Sequence, residues 1–446
     1  MYTQGMKYPT LQNDDPEVFD LIRREERRNK EGLELIPSEN YVSEAVLEGN
    51  ASIFTNKYAE GYPGKRYYEG NEVVDVLEIL CQERARRAFG AQGYGINVQP
   101  YSGSPANIEV YSAILEYSDV VLAMDLSHGV HLTHGATANF SGKNYKFVNY
   151  RFDPATEQID YDLMEKMAVQ HKPKLILSGF TAYPRKVNFE RVHAIAKKVG
   201  AISMADISHI AGLIVSGVHE SPFPFTDIVT TTTHKTLRGP RGAIIFSKPE
   251  YSTKIDKAVF PGMQGGPHEH TIAALAVALK EAVSPAFKEY STQTVKNAAA
   301  LADVLMAGGL KLVSNGTDNH LILVDLRPFG IGRGYIVAKA LDAARIYLNR
   351  NGVFDDPSSP FYPSGIRLGT PALTTRGMKE DEMKQIGDMI VRVVKEFAVI
   401  DLPEDREARG QKIKDFLAKL PTNSLIKELG EQAKDLAIRF PVPGIE

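Results

Sequence analysis

Short apolar runs alternate along this chain with longer stretches in which apolar and charged positions recur at helical spacing. From about Val73, "VVDVLEILCQERARRAFG" reads as a helix, and "DVVLAM", "KLILSGF", "AISMADIS", "DIVTTTT" and "GAIIFS" read as buried strands. Strands separated by helices predict an α/β domain with a largely parallel sheet. Ahead of it, "DPEVFDLIRREERRNKEGLELI" has apolar positions at Val18, Leu21 and Ile22, with acidic residues leading and basic residues following, so an amphipathic helical arm is expected. After "TIAALAVALKEAVSP", Pro285 interrupts the pattern. The strands "NHLILVDL" and "GIRLGTP" and the helices "RGMKEDEMKQIGDMIVRVVKEF" and "SLIKELGEQAKDLAIRF" then predict a smaller α/β unit. The expected division is an arm over 1–60, a large domain over 61–285 and a small domain over 286–446.

Composition narrows the function classes. With 446 residues, 43% of them hydrophobic, the chain can bury a large interior and fold as more than one unit. A net charge of -3 supplies no basic field for nucleic acid or an anionic membrane surface, leaving small-molecule chemistry as the default. The single cysteine, Cys81, excludes an intramolecular disulfide and is read as a core residue. A polar start and the lack of an apolar run long enough to span a bilayer point to a cytoplasmic protein that does not enter membranes.

In "TTTTHKTLRGPRG", Lys235 follows a β-branched strand and precedes turn chemistry. It is either an exposed hairpin lysine or an amine nucleophile. A Schiff-base lysine needs an anion for a pyridinium nitrogen and a cradle for a phosphate. Asp206 ends the strand of "AISMADISHIAG", where open α/β sheets bind ligands, although an aspartate there also suits a helix cap and His209 suits simple packing. Ser102, Gly103 and Ser104, just before Pro105, offer either an anion site at a helix N-terminus or a serine cap. In "FPGMQGGP", Gly265 and Gly266 add amides or relieve crowding.

Tyr58, Tyr62, Tyr67 and Tyr68 surround Glu60 in "NKYAEGYPGKRYYEG", a composition suited to proton handling or to an interface. Arg367, in "SGIRLGTP", is a carboxylate clamp or a surface ion-pair residue. His128, His131 and His134 lack carboxylate or cysteine companions at matching spacing; no metal site is expected, and an imidazole stacked on a flat ring is the better reading.

Nine stretches, "IPSENYVS", "NKYAEGYPGKRYYEGNE", "SGSPAN", "HLTHG", "ADISHIAGL", "TTTTHKTLRGPRG", "FPGMQGGP", "TDNHLILVDL" and "SGIRLGTPALTTRG", occur in the order in which the serine hydroxymethyltransferase family carries them. The chain resembles that family over nearly its whole length. The resemblance implies an aspartate-aminotransferase-like (fold type I) enzyme that uses pyridoxal 5'-phosphate and interconverts L-serine and glycine with tetrahydrofolate as co-substrate. It implies Lys235 as the Schiff-base lysine, Asp206 at the pyridinium nitrogen and His131 stacked on the ring, with Thr232, Thr233 and His234 supporting the lysine. Ser102, Gly103 and Ser104 would hold the phosphate, joined by Gly266 from a second chain.

By the same resemblance, Thr181 and His209 lie near the phenolic oxygen and Arg241 near the ring. Arg367, helped by Ser38, takes the amino-acid carboxylate, and Glu60, Tyr58 and Tyr68 come from the second chain of a homodimer or a dimer of dimers. Leu126, Leu132, Tyr67 and Asn351 are the implied folate contacts. Three positions depart from the pattern: Tyr101 where histidine is frequent, Val130 where a second glycine is usual, and Glu69 in "YYEG". Val130 is the support for an alternative, a folate-independent aldolase acting on threonine-like or α-methylated β-hydroxy amino acids. A non-catalytic role is opposed by Lys235, Asp206, Glu60 and Arg367 occurring together.

Overall fold

The apolar and β-branched runs pair into a seven-stranded sheet in the computed structural model, which describes residues 9–445. In chain order its strands are β1 (Gly95–Asn97), β2 (Val120–Met124), β3 (Lys146–Tyr150), β4 (Leu175–Gly179), β5 (Ile202–Asp206), β6 (Ile228–Thr232) and β7 (Ala243–Ser247). Across the sheet they run β1-β7-β6-β5-β4-β2-β3. The pairs from β3 to β6 are parallel, and β7 runs against both β6 and β1.

Strands β4, β6 and β7 are buried from end to end, the pattern of a sheet covered on both faces. Ala106, Val110 and Tyr111 of the Gly103–Ile114 helix pack with Val121 and Ala123 of β2 and Leu175 and Leu177 of β4, alternate residues that share one face. Helices Gly103–Ile114, Tyr161–His171 and Phe189–Val199 link β1 to β2, β3 to β4 and β4 to β5. These crossovers leave the carboxyl ends of the parallel strands together on one edge.

A second sheet contains β8 (Lys311–Leu312), β9 (Leu321–Asp325), β10 (Asn349–Asn351) and β11 (Gly365–Gly369), in the order β8-β9-β11-β10 with antiparallel pairing. Its core joins Ile322, Val324, Ile366 and Leu368 to Ile386, Ile390 and Val394 of the Glu380–Phe397 helix.

The chain packs as two units. Val42–Thr292 surrounds the larger sheet, and the chain up to Tyr41 joins Gln293 onward around the smaller one. This partition differs from boundaries at 60 and 285, for long-range reasons. Leu33–Glu34 pairs in parallel with Ile346–Tyr347. The buried Arg376 guanidinium donates to the carbonyls of Asn29, Lys30 and Gly32 and to those of Ala437 and Phe440, tying the leading segment to the end of the chain. Pro285 opens the Pro285–Ala307 helix.

Two helices leave some of their large apolar residues exposed. On Pro16–Glu31, Val18 and Leu21 are 42% and 58% exposed, while Glu26 is buried. On Glu72–Phe89, Val73, Val76, Ile79 and Leu80 face solvent, and Glu78 and Cys81 are buried. Glu78 is held by Arg66, whose Nη2 lies 2.6 Å from Glu78 Oε1 and whose Nε lies 2.8 Å from Asp75 Oδ1. Among the described residues, no helix is long and apolar enough to cross a membrane.

Glu109, in the Gly103–Ile114 helix, is fully buried, and neither carboxylate oxygen has a hydrogen-bond partner among the described residues. Burial pushes its pKa up to about 8. A carboxyl with a folded pKa above its unfolded value takes up a proton on folding, so its contribution to stability falls as pH rises from the ordinary carboxylate range toward 8. Glu109→Gln is expected to weaken that decline. In thermal melts from about pH 5 to pH 8 the variant should gain on the parent as pH rises; parallel curves would contradict the assignment.

Candidate active site

Lys235 lies just beyond β6, in the connection that returns as β7. Thr232 and Ala243 form the last rung of that hairpin, and the connection is closed by the Gly239 amide donating to the Thr233 carbonyl and by Thr233 Oγ1 donating to the Pro240 carbonyl. Thr233 therefore fixes the turn, whereas Thr232 meets the lysine: Lys235 Nζ donates to Thr232 Oγ1 at 3.1 Å. The His234 imidazole is held neutral, its pKa lowered to about 3 by burial and then by the charges of Lys235 and Arg241.

Asp206, at the carboxyl end of the neighbouring β5, is surrounded by donors. Its Oδ1 accepts from the amide and hydroxyl of Ser208 at 3.1 and 2.5 Å. Its Oδ2 accepts from Asn107 Nδ2 at 2.9 Å and lies 3.3 Å from His134 Nε2. Burial by itself would raise the pKa of this carboxyl; the His134 hydrogen bond, the Lys235 charge and the Ser208 hydroxyl outweigh it and hold the group well below the usual carboxylate range.

The Gly103–Ile114 helix begins beside the end of β6. Ser102 is extended (φ -166), and its hydroxyl caps none of the described helix amides, so the helix N-terminus stays open to an anion. Gly103 permits the approach: a Cβ there would lie 2.6 Å from Thr232 Cγ2. Gly103, His131, His134, Phe180, Thr181, Asp206, Ser208, His209, Thr232 and Lys235 line one cavity. Burial lowers the His131 pKa to about 4, leaving an uncharged ring at neutral pH. Thr181 donates through Oγ1 to the Gly129 carbonyl. Arg241 is exposed on the hairpin and lies outside this lining.

Glu60 and the tyrosines gather elsewhere in the same unit. Tyr58 Oη donates to Glu60 Oε1 at 3.3 Å, Tyr58 and Tyr68 meet edge to face at 5.1 Å, and Tyr67 meets Phe260 at 5.4 Å. Glu60, Tyr67 and Gly265 line an opening that shares none of its residues with the Lys235 cavity. Gly266 lies against the Tyr58 ring. Leu126 and Leu132 are exposed on the loop after β2, whereas Val130 is only 9% exposed.

The other unit carries three of the expected residues. Arg367, in β11, is buried and donates through Nε to Asn349 Oδ1 at 3.0 Å; burial lowers its pKa to about 10. Asn351 lies in β10 opposite Gly365. Ser38 occupies a turn beside Pro37, whose Cα would be 2.6 Å from a Cβ at Gly369.

A family model described as "Serine hydroxymethyltransferase" matches residues 11–390. A serine hydroxymethyltransferase of Desulfotalea psychrophila is 50% identical over 443 residues, covering 99% of this chain and 98% of that protein. One of Koribacter versatilis is 55% identical over 378 residues, covering 85% and 88%. The chain belongs to the serine hydroxymethyltransferase family.

The Lys235 cavity fits the pyridoxal 5'-phosphate that this serine hydroxymethyltransferase-family sequence leads one to expect. A phosphate has the open helix N-terminus, a protonated ring nitrogen has an ionised partner in Asp206, and a flat ring has the neutral His131 face. Buried His234 Nδ1 has no partner among the described residues, a further polar atom beside the lysine.

Three groups around Asp206 escaped the sequence reading of roles: Asn107, Ser208 and the orienting function of His134. All lie inside the motifs "SGSPAN", "ADISH" and "HLTHG". The available signal was chemical: a strand-end carboxylate removed from water needs donors, and these are the nearby polar side chains.

Gly103→Ala tests the phosphate position. The added methyl must displace Thr232 or the helix start, and the affinity for pyridoxal 5'-phosphate in equilibrium dialysis is expected to fall about tenfold, the scale of one charge-assisted hydrogen bond. Unchanged affinity would place the phosphate elsewhere.

Proposed function

We propose that this protein transfers the hydroxymethyl group of L-serine reversibly to tetrahydrofolate, yielding glycine and 5,10-methylenetetrahydrofolate, with pyridoxal 5'-phosphate as cofactor. The observation that carries the reading is the placement of Lys235 and an ionised Asp206 on one cavity beside an uncapped helix N-terminus. When bound, the cofactor supplies an aldehyde that an amine can attach to and a ring that accepts electrons.

The chain's own residues divide the remaining work. Lys235 would hold the aldehyde end of the cofactor, with Thr232 steadying its Nζ. Asp206 would hold the proton on the ring nitrogen, His131 would cover the ring, and Thr181 and His209 would lie near its phenolic oxygen, with Arg241 in the wider surroundings. Ser102, Gly103 and Ser104 would hold the phosphate end, and His234 would support the lysine. Arg367 receives the serine carboxylate with Ser38 beside it; a planar guanidinium is suited to two parallel hydrogen bonds. Glu60 moves the proton of the serine hydroxyl, with Tyr58 and Tyr68 holding the carboxyl in place. Leu126, Leu132, Tyr67 and Asn351 receive the folate.

The assembly is a homodimer with shared sites, or a pair of such dimers. Glu60, Tyr58, Tyr68 and Gly266 then serve the Lys235 cavity of the neighbouring chain. Their separation from that cavity within one chain supports this reading, as does the outward apolar stripe of Val73, Val76, Ile79 and Leu80. A cytoplasmic, reducing setting suits the single buried Cys81.

Glycine formation from serine is expected to depend strongly on tetrahydrofolate; an equal rate without it would favour the aldolase. Lys235→Ala should lose the visible absorbance band of the lysine-bound cofactor, and persistence of that band would reassign the lysine. For Arg367→Ala, the serine KM should rise about tenfold or more, the loss of a charge-assisted pair, with cofactor affinity nearly unchanged. Equal loss of both would indicate a folding role.

A further inference from the structure

Tyr101 is one of the three departures noted in the sequence, and it makes a set of contacts that the reaction described above leaves unused. It directly precedes the Ser102-Gly103-Ser104 segment, yet its side chain is directed at the glycine-rich turn. Tyr101 Oη donates to the Gly266 carbonyl at 2.7 Å, and its ring stacks on His268 at 4.2 Å with an interplanar angle of 9°. Its backbone amide donates to Gln264 Oε1 at 2.9 Å, and Gln264 Nε2 donates to the Gln99 carbonyl at 2.9 Å. One residue thus grips the turn at three points.

The turn has few anchors of its own. Gly265 and Gly266 carry no side chains, and Pro267 has no N–H. On its other side it meets the proton-handling cluster: a Cβ at Gly265 would lie 3.0 Å from Glu60 Oε1, and one at Gly266 would lie 3.5 Å from the Tyr58 ring. Burial raises the Tyr101 pKa, so its hydroxyl remains a donor at neutral pH.

We propose that Tyr101 is a positioning residue that fixes the Gly266 peptide, and through it the Tyr58–Glu60 cluster, for use in the active site of the neighbouring chain. The proposal rests on the shared-site reading given above. Its distinctive consequence is direction. Removing the Tyr101 hydroxyl should disturb the site that borrows Gly266 from the altered chain, while the altered chain's own lysine site, borrowing from an intact neighbour, stays normal.

Tyr101→Phe keeps the ring stack and deletes the Gly266 hydrogen bond. In the homogeneous variant, pyridoxal 5'-phosphate release, followed by visible absorbance in the presence of a scavenger, is expected to be about five- to tenfold faster, the scale of one hydrogen bond. Amides in 264–268 should exchange hydrogen faster even in the cofactor-free protein. Mixed dimers, purified through two tags, then assign direction. A chain carrying Tyr101→Phe and Lys235→Ala, paired with an unaltered chain, leaves one lysine site that borrows from the altered turn; release there should be fast. A Tyr101→Phe chain paired with a Lys235→Ala chain leaves one lysine site that borrows from an intact turn; release there should match the parent.

Fast release confined to the second pairing, or equal in both, would overturn the proposal and make Tyr101 a support for its own phosphate loop. Unchanged release and unchanged exchange in the homogeneous variant would show that the hydrogen bond positions nothing. A Glu60→Ala chain mixed with a Lys235→Ala chain tests sharing separately. Recovered glycine formation supports shared sites independently of Tyr101, and no recovery would remove the shared-site reading itself and the proposal with it.

Discussion

A carboxylate removed from water at the end of β5 is the constraint around which the larger unit is arranged. Taken alone, a buried charge of this kind is expensive enough to neutralise itself or to loosen its surroundings. Asp206 stays ionised because donors reach it from three directions: Ser208 from the following turn, Asn107 from the Gly103–Ile114 helix and His134 from the loop after β2. These donors are tied to other parts of the site. Asn107 also accepts from Thr230 and donates to Thr133, and Ser208 Oγ receives the Thr232 amide. One negative charge therefore sets the relative placement of the helix that offers its amides, the strand that leads to Lys235 and the loop that carries His131.

Much of this was legible in the sequence because it is local. A β-branched run ending in a polar turn places a lysine at a strand end, and an apolar run ending in aspartate does the same for a carboxylate. A serine-glycine-serine segment before proline marks a helix start, and here the competing possibility, a serine hydroxyl capping that helix, is not realised. What the pattern did not reveal depends on residues far apart. The leading segment belongs with the end of the chain through Arg376 and through a two-residue strand that pairs more than three hundred positions away. No window of sequence contains both partners. Asn107 presents the same difficulty on a smaller scale, since its motif was visible but its target lay on another strand.

The helical periodicity at 72–89 was equally legible, but its sense was not. Apolar spacing is ordinarily read as one buried face, whereas here Val74, Cys81, Ala85 and Phe89 point in together with Glu78, and Val73, Val76, Ile79 and Leu80 form a second apolar face that points out. The inward carboxylate is accommodated because Arg66 and Gln99 supply donors to it. Arg66 also binds the carbonyls of Ala59 and Gly61, on either side of Glu60. The one inward carboxylate of this helix thus braces, through Arg66, the loop that carries Glu60.

The β6–β7 hairpin has a consequence for how sharply the neighbours of the Lys235 amine are specified. Its partners are fixed rung by rung from Ile228 opposite Ser247 to Thr232 opposite Ala243, and Lys235 lies in the connection beyond the last rung, after Thr233 and His234. Side chains on a strand alternate faces, so a slip of one residue would turn Thr232 away from the lysine and present the opposite face of β6 to Asn107. Between these arrangements there is no gradual path. The meeting of Thr232 with the Lys235 amine is therefore digital: it inherits the all-or-none character of strand register.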